Sequence, residues 1–232
     1  MKTSSWDREY TNPVLMTGSG AAQPSVLKLL RLLKKQYDFR VEDKRILDFA
    51  CGTGRLAVDL AQRGATVHGF DISGIAIDQA RALAHEHDLK IDLKQFEWNA
   101  RASIDERDAY FDCVIMNMAL HLFDAVGRTH ALEEINRVLR PRGFVIIRTL
   151  AVEGDSNAKQ LLKQFPSATD SGSYRMPDMN HDEHPFSRAE LMELLSETGK
   201  WTQLHVQKVT GHPHFNGKVY KRQYWEVIAQ KS

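Results

Sequence analysis

Residues 46–57 read ILDFACGTGRLA and residues 65–73 read ATVHGFDIS, two apolar runs each closed by a carboxylate, with a glycine-rich turn after the first. Gly52 and Gly54 lack side chains where a backbone must bend sharply and approach a ligand, and Ala50 adds only a methyl group ahead of them. Asp48, at the end of the first run, points negative charge at the crevice the turn opens. A pyrophosphate would be repelled there, whereas the sulfonium and amino group of S-adenosylmethionine would be attracted. The carboxylate of such a ligand would suit the positive end of a helix starting near Gly54. Asp71, ending the second run, can accept hydrogen bonds from both hydroxyls of a ribose. The two acids together favour a sulfonium nucleoside. Residues Gly52-Thr53-Gly54-Arg55-Leu56-Ala57 also fit the G-x-G-x-x-A dinucleotide fingerprint, so an NAD-dependent oxidoreductase stands as the alternative.

Other reactive side chains lie further along the chain. His121 follows the fourth apolar run, and an imidazole that titrates near neutrality there is the candidate general base. Packing beside Leu120 and Leu122 is the competing role for it. Trp6 and Tyr10, four residues apart, share one face of a short N-terminal helix and are candidate acceptor contacts, with packing of the arm against the domain as the competing role. His181, His184, His212 and His214, with Asp182 and Glu183, carry neither spacing of a zinc signature. They read instead as a polar lid in which His181 and His184 contact the acceptor, with no metal assigned.

The elements that must position these residues alternate. Strands are expected near 45–49, 66–70, 91–96, 112–117 and 143–150, and helices near 54–63, 74–87 and 127–139, which predicts an α/β fold with a parallel sheet covered on both faces. Ahead of them Pro24 to Phe39 has an amphipathic pattern that starts at proline, with Lys28, Arg31 and Lys35 on a solvated face. Behind them Ser187 and Glu190 form a capping box, followed by strands at 202–210 and 222–230. Residues 152–186 break the alternation with loop chemistry, and a segment of that length reads as a lid over the acceptor. The chain of 232 residues, 42% hydrophobic, suits one core. It divides into an arm and cap helix (1–41), a cofactor-binding core (42–151), the lid (152–186) and a C-terminal helix with a strand pair (187–232). A formal charge of +1 lacks the positive field of a general nucleic-acid binder. No membrane span or secretory leader is read, so a cytoplasmic location is expected. Cys51 and Cys113 fall in core segments and are expected buried and unpaired.

In these motifs the chain resembles a class I S-adenosylmethionine-dependent methyltransferase of the small bacterial type. LDFACGTGRLA matches the family's first motif and GFDIS its acid-ended second strand. FDCVIMNMALHLF at 111–123 resembles the fourth strand with its loop, and ALEEINRVLRPRGFVIIRTL at 131–150 the helix, turn and fifth strand. Ala50 replaces the first glycine of the family motif, Arg142 stands where glycine is common, and Asn99 stands where an acid often contacts the adenine amino group. The resemblance implies a Rossmann-like seven-stranded sheet with a C-terminal antiparallel strand. It implies S-adenosyl-L-methionine as cofactor, held by Asp48, Ala50, Gly52, Gly54, Asp71, Ile72, Asn99, Ala100 and Asn117. It also implies an N-terminal segment folded over the cofactor, with Thr17 to Gly20 as its hinge. NMALH after the fourth strand lacks the Asn/Asp-Pro-Pro-aromatic motif for exocyclic amines, Asn12-Pro13 lies in the wrong place for it, and no Pro-Cys nucleophile occurs. The expected reaction is transfer of a methyl group to an oxygen, nitrogen or sulfur atom of a small molecule. A non-catalytic cofactor-binding module is the further alternative.

Overall fold

The computed structural model describes residues 5–12, 24–177, 179, 181–215 and 218–232. Seven strands form the main sheet: β1 (Arg45–Phe49), β2 (Thr66–Asp71), β3 (Asp92–Gln95), β4 (Phe111–Asn117), β5 (Leu139–Leu150), β6 (Trp201–Gly211) and β7 (Arg222–Lys231). Their spatial order is β3-β2-β1-β4-β5-β7-β6. The first five strands pair in parallel, and β7 runs antiparallel to both β5 and β6. The helices are α1 (Ser5–Thr11), α2 (Pro24–Tyr37), α3 (Arg55–Gln62), α4 (Gly74–Glu86), α5 (Ala125–Val138), α6 (Ser156–Gln164) and α7 (Arg188–Thr198).

Alternation along each strand divides the core in two. Ile46, Ile115, Ile146 and Ile228 share one face with Val26, Leu29 and Leu33 of α2 and with Leu56 and Leu60 of α3. Leu47, Val114, Ile147 and Val227 share the other with Leu132 and Ile135 of α5 and with Leu191 and Leu195 of α7. Because β1 and β4 are covered on both faces, their sequences are apolar runs rather than alternating ones. Burying one such aliphatic side chain is worth roughly 1.5–3 kcal/mol, so the two covered faces hold the sheet flat against its helices. Strand order reverses direction at β1, and the crevice beyond the β1 and β4 carboxyl ends is where an open α/β sheet binds ligands.

Three expectations need adjustment. β5 begins at Leu139, not near 143: its pairing with β4 jumps from Phe111↔Leu139 to Cys113↔Phe144, and Arg142 takes φ +65° inside the irregular stretch. Residues 152–186 are not loop throughout, since they hold α6 and a two-stranded ribbon pairing Tyr174 with Glu183 and Arg175 with Asp182. The Asp155 carboxylate accepts from the Ala158 N–H at 2.7 Å and so caps α6, whose short amphipathic run is masked in sequence by neighbouring Gly, Ser and Pro. Cys113 is buried, but Cys51 is only half-buried, and both are free thiols. The proposed hinge at Thr17 to Gly20, and Pro13, lie outside the described residues. Among the described residues no helix is long and apolar enough to cross a membrane.

Candidate active site

The turn after β1 is built on left-handed backbone. Ala50, Gly52 and Gly54 have φ of 59°, 53° and 73°. Ala50 therefore holds a conformation that costs an L-residue about 1–2 kcal/mol, where glycine would sit freely. A Cβ on Gly52 would lie 2.7 Å from the Tyr10 hydroxyl oxygen, and one on Gly54 2.7 Å from the Ala80 Cβ. Gly52 thus makes room for the Tyr10 hydroxyl, while Gly54 lets α3 pack on α4.

Asp48 is 3% exposed, and its Oδ2 has no hydrogen-bond partner. Burial, with help from the nearby Asp71 charge, pushes its pKa up to about 7, against a lowering effect from the Ala57 N–H. An orphaned carboxylate in this position suits a cationic ligand group. Asp71 is buried at the end of β2. Its Oδ2 accepts from the Gly52 N–H and its Oδ1 from the Ser73 N–H, both at 2.9 Å. Burial raises the Asp71 pKa while those backbone donors oppose it. A carboxylate has about four acceptor directions, so two remain for ribose hydroxyls. Ile72, next to it, is half-buried, and its carbonyl accepts from Gln95 Nε2.

The N-terminal arm closes over this turn. Ser73 Oγ donates to Asp7 Oδ1 at 2.6 Å and Gln79 Nε2 donates to the Tyr10 carbonyl at 3.3 Å, which dock α1 on α4. Burial, followed by the charges of Asp71, Cys51, Asp48 and Glu9, raises the Tyr10 pKa. Trp6, one turn earlier, stacks on His181 with ring centroids 5.0 Å apart. The arm therefore bridges from the glycine turn to the lid, as the one-face spacing of Trp6 and Tyr10 implies.

His121 sits in a 3-10 turn after β4, 3% exposed, with Nδ1 3.4 Å from Thr149 Oγ1. Burial lowers its pKa to about 4, with Glu183 opposing and His181, Arg222 and Arg148 assisting. It is a neutral imidazole at physiological pH. The lid ribbon supplies its neighbours: His181 Nε2 lies 3.6 Å from Glu183 Oε1, and Tyr174 donates to Glu183 Oε2 at 2.5 Å. Burial alone would raise the Glu183 pKa, but His181, His121 and Arg222 together hold it at about 2. Arg222 is fixed in turn by Asp155 at 2.8 Å and by the Tyr174 oxygen at 3.0 Å. Neither ring nitrogen of His181 has a hydrogen-bond partner.

The remaining assigned residues divide. Asn117 ends β4 with a buried Oδ1 that has no partner. Asn99 and Ala100 are exposed, and Asn99 Oδ1 accepts from the Arg101 N–H at 2.9 Å, closing its own turn. His184 is a packing node: its ring nitrogens face Ser173 Oγ at 2.8 Å and Glu190 Oε1 at 2.6 Å. His212 and His214 are exposed. Among the described residues the compact set of metal-capable donors is His68, Asp92 and Glu106, not these histidines, and Lys94 already lies 3.3 Å from Asp92 there. One residue went unassigned in the sequence. Arg148 near the end of β5 is the cation in VIIRTL; its Nε is buried without a partner, and its guanidinium stands 3.8 Å from the Tyr224 ring centroid.

Comparison with known proteins identifies the family and the fold. Residues 46–143 match a family model described as a methyltransferase domain. A ubiquinone biosynthesis O-methyltransferase of Alkalilimnicola ehrlichii is 35% identical over 136 residues, covering 56% of this chain and 53% of that protein. One of Aliivibrio fischeri is 30% identical over 184 residues, covering 75% of this chain and 68% of that protein. The matched region thus spans about half to two thirds of these relatives' length. Among solved structures, an S-adenosylmethionine-dependent methyltransferase of Methanosarcina mazei superposes with a TM-score of 0.69 at 26% identity, over 91% of this chain and 98% of the other. A protein of Pyrococcus horikoshii shares the fold with a TM-score of 0.70 at 20% identity, over 97% and 99% of the two chains.

Proposed function

Because this chain belongs to the class I S-adenosylmethionine-dependent methyltransferases, we propose that it transfers a methyl group from that cofactor to a hydroxyl oxygen of a small-molecule acceptor. The observation that carries the reading is the unpartnered Asp48 Oδ2 beside the glycine turn, a buried carboxylate where the cofactor's cationic end would lie. Asp48 and Asn117 would orient the methionyl end, and Asp71 the ribose. The bound cofactor supplies a methyl group made electrophilic by its sulfonium. The chain's work is placement, because holding two reactants in line and excluding water can supply roughly 7–11 kcal/mol of a barrier.

An oxygen acceptor is favoured over nitrogen and sulfur by two considerations. The relatives named above are O-methyltransferases. A hydroxyl must also lose a proton as it is methylated, and the neutral imidazole of His121, with Nδ1 3.4 Å from Thr149 Oγ1, stands beyond the end of β4 as its acceptor. The lid, with Trp6, Met176 and Met179 packed around Tyr174, would close an apolar wall on the acceptor. Asp48 opposes the pyrophosphate that a nicotinamide cofactor would bring to this turn.

The test is titration of the protein with S-adenosylhomocysteine and with NADH, followed by a screen of phenolic and aliphatic hydroxyl acceptors read as S-adenosylhomocysteine release. Binding of the first ligand, lost in Asp71→Ala, together with methylated product is expected. Binding of NADH alone overturns the reading. Cofactor binding without turnover on any acceptor leaves a binding module in its place.

A further inference from the structure

We propose that Arg148 is a carboxylate anchor, holding the carboxylate at the methionyl end of S-adenosylmethionine. The inference rests on the cofactor reading above and adds a residue that neither the motifs nor the relatives' names assign. Parallel pairing places Asp48 opposite Ile115 and Asn117 opposite Arg148, so β1, β4 and β5 carry the three side chains at their carboxyl ends. Alternation puts all three on the face of Ile46, Ile115 and Ile146, the face covered by α2 and α3. Each has a buried polar atom with no partner: Asp48 Oδ2, Asn117 Oδ1 and Arg148 Nε. A carboxylate oxygen, an amide oxygen and a guanidinium N–H left unpartnered at these strand ends form the complement of an α-amino acid zwitterion.

The positive end of α3 is the competing place for that carboxylate, and the Asp48 carboxylate already stands at it. The Ala57 N–H in the first turn of α3 already donates to Asp48. A ligand carboxylate brought there would face Asp48 at close range and be repelled. At Arg148 the neighbouring charge is Glu226, which stands opposite it in the β5–β7 register and is shared with Lys28 of α2 at 3.5 Å. Tyr224 holds the guanidinium by a cation–π contact at 3.8 Å and by a side-chain hydrogen bond, and Nε is the donor left for an anion.

The same guanidinium would suit a carboxylate on the acceptor, so the experiment separates the two sources. S-adenosylmethionine and its decarboxylated form, which keeps the sulfonium and an ammonium, are titrated calorimetrically into wild type, Arg148→Met and Arg148→Lys. Wild type is expected to prefer the carboxylate-bearing form by about tenfold to a hundredfold, the range of a charge-assisted hydrogen bond. Arg148→Met should bind both forms alike, and Arg148→Lys, the fallback should the methionine variant not fold, should show a reduced preference. Undiminished preference in either variant overturns the assignment. Benzoate titrated into the S-adenosylhomocysteine complex is the second arm: benzoate binding lost in Arg148→Met with cofactor discrimination intact also overturns it, and gives Arg148 to the acceptor. A wild type that binds neither nucleoside fails the cofactor reading itself, a result distinct from all of these.

Discussion

Replacing Asp48 with asparagine should make the ligand-free protein more stable and the cofactor site worse, and the size of the first effect depends on pH in a way the geometry fixes. The Asp48 pKa rises from 3.8 to about 7 in the folded state. Between those values the folded state binds more protons than the unfolded one, so stability falls as pH rises through that window. Two-state linkage with these pKa values gives a loss of about 2–3 kcal/mol between pH 5 and pH 8. Asparagine keeps an oxygen for the Ala57 N–H and removes the charge. Urea unfolding of wild type and Asp48→Asn at the two pH values, without ligand, should therefore show the variant gaining about 2–3 kcal/mol on wild type at the higher pH. The cofactor's cationic end requires the ionised form, so wild-type affinity for S-adenosylmethionine should rise about tenfold from pH 6 to pH 8, while that of the variant stays low and flat. A stability difference independent of pH, or a variant that binds as well as wild type at pH 8, would refute the placement of an unpaired carboxylate in the crevice.

Four further outcomes are expected. With the His121 pKa near 4, methyl transfer should show no inflection near pH 6.5 that His121→Asn removes; an inflection lost in that variant would show that the imidazole is not desolvated. The same shift means the unfolded state binds more protons between pH 4 and 6.5, so His121 makes stability climb with pH across that window by at most about 3 kcal/mol, a slope that denaturation of His121→Asn should flatten. Asp170→Asn breaks the buried two-point pairing with Arg128, at 2.7 and 3.1 Å, and should cost about 3–5 kcal/mol in urea unfolding because it strands the guanidinium; a cost below about 1 kcal/mol would mean water reaches it. Gly54→Val places a branched side chain at φ +73° with its Cβ 2.7 Å from the Ala80 Cβ, and a thermal melt should fall by several degrees, by overpacking between α3 and α4 as well as backbone strain.

What could be read ahead of the structure was what local chemistry dictates. The β1 run ends on Asp48 just ahead of the glycine turn, and the β2 run ends on Asp71, 19 residues after Gly52, so the strand ends and the turn could be located from the pattern of apolar runs. Ser187 with Glu190 likewise marks the start of α7, because a capping box is a contact over three residues. The lid resisted this treatment: α6 depends on Asp155 at its cap, and Asp155 depends on Arg222 and the Gln223 N–H, 67 and 68 residues away. His184 looked like an acceptor contact because its sequence neighbours are polar. Its partners Ser173 and Glu190 come from outside the HDEH run, and only folding shows that its nitrogens are already used. Arg148 carried a signal, a lone cation inside VIIRTL, but an arginine near a strand end commonly reaches solvent.

The polar groups at the carboxyl end of the sheet fall into two populations, and the division separates scaffold from ligand site. Under the lid, Asp155, Arg222, Tyr174 and Glu183 form a chain of hydrogen bonds in which each charge meets its opposite. Such a network, once satisfied, is rigid, and it fixes the ribbon that carries His181 toward Trp6. Alongside that network Asp48, Asn117 and Arg148 leave buried atoms unmatched. A fold tolerates an unpaired buried polar atom at a cost of about 1–3 kcal/mol, so three of them at neighbouring strand ends are hard to account for as packing. A ligand that satisfies all three recovers that cost on binding. The site is thereby stabilised by the molecule it binds and strained without it, which is why Asp48→Asn should stabilise the empty protein and weaken the loaded one.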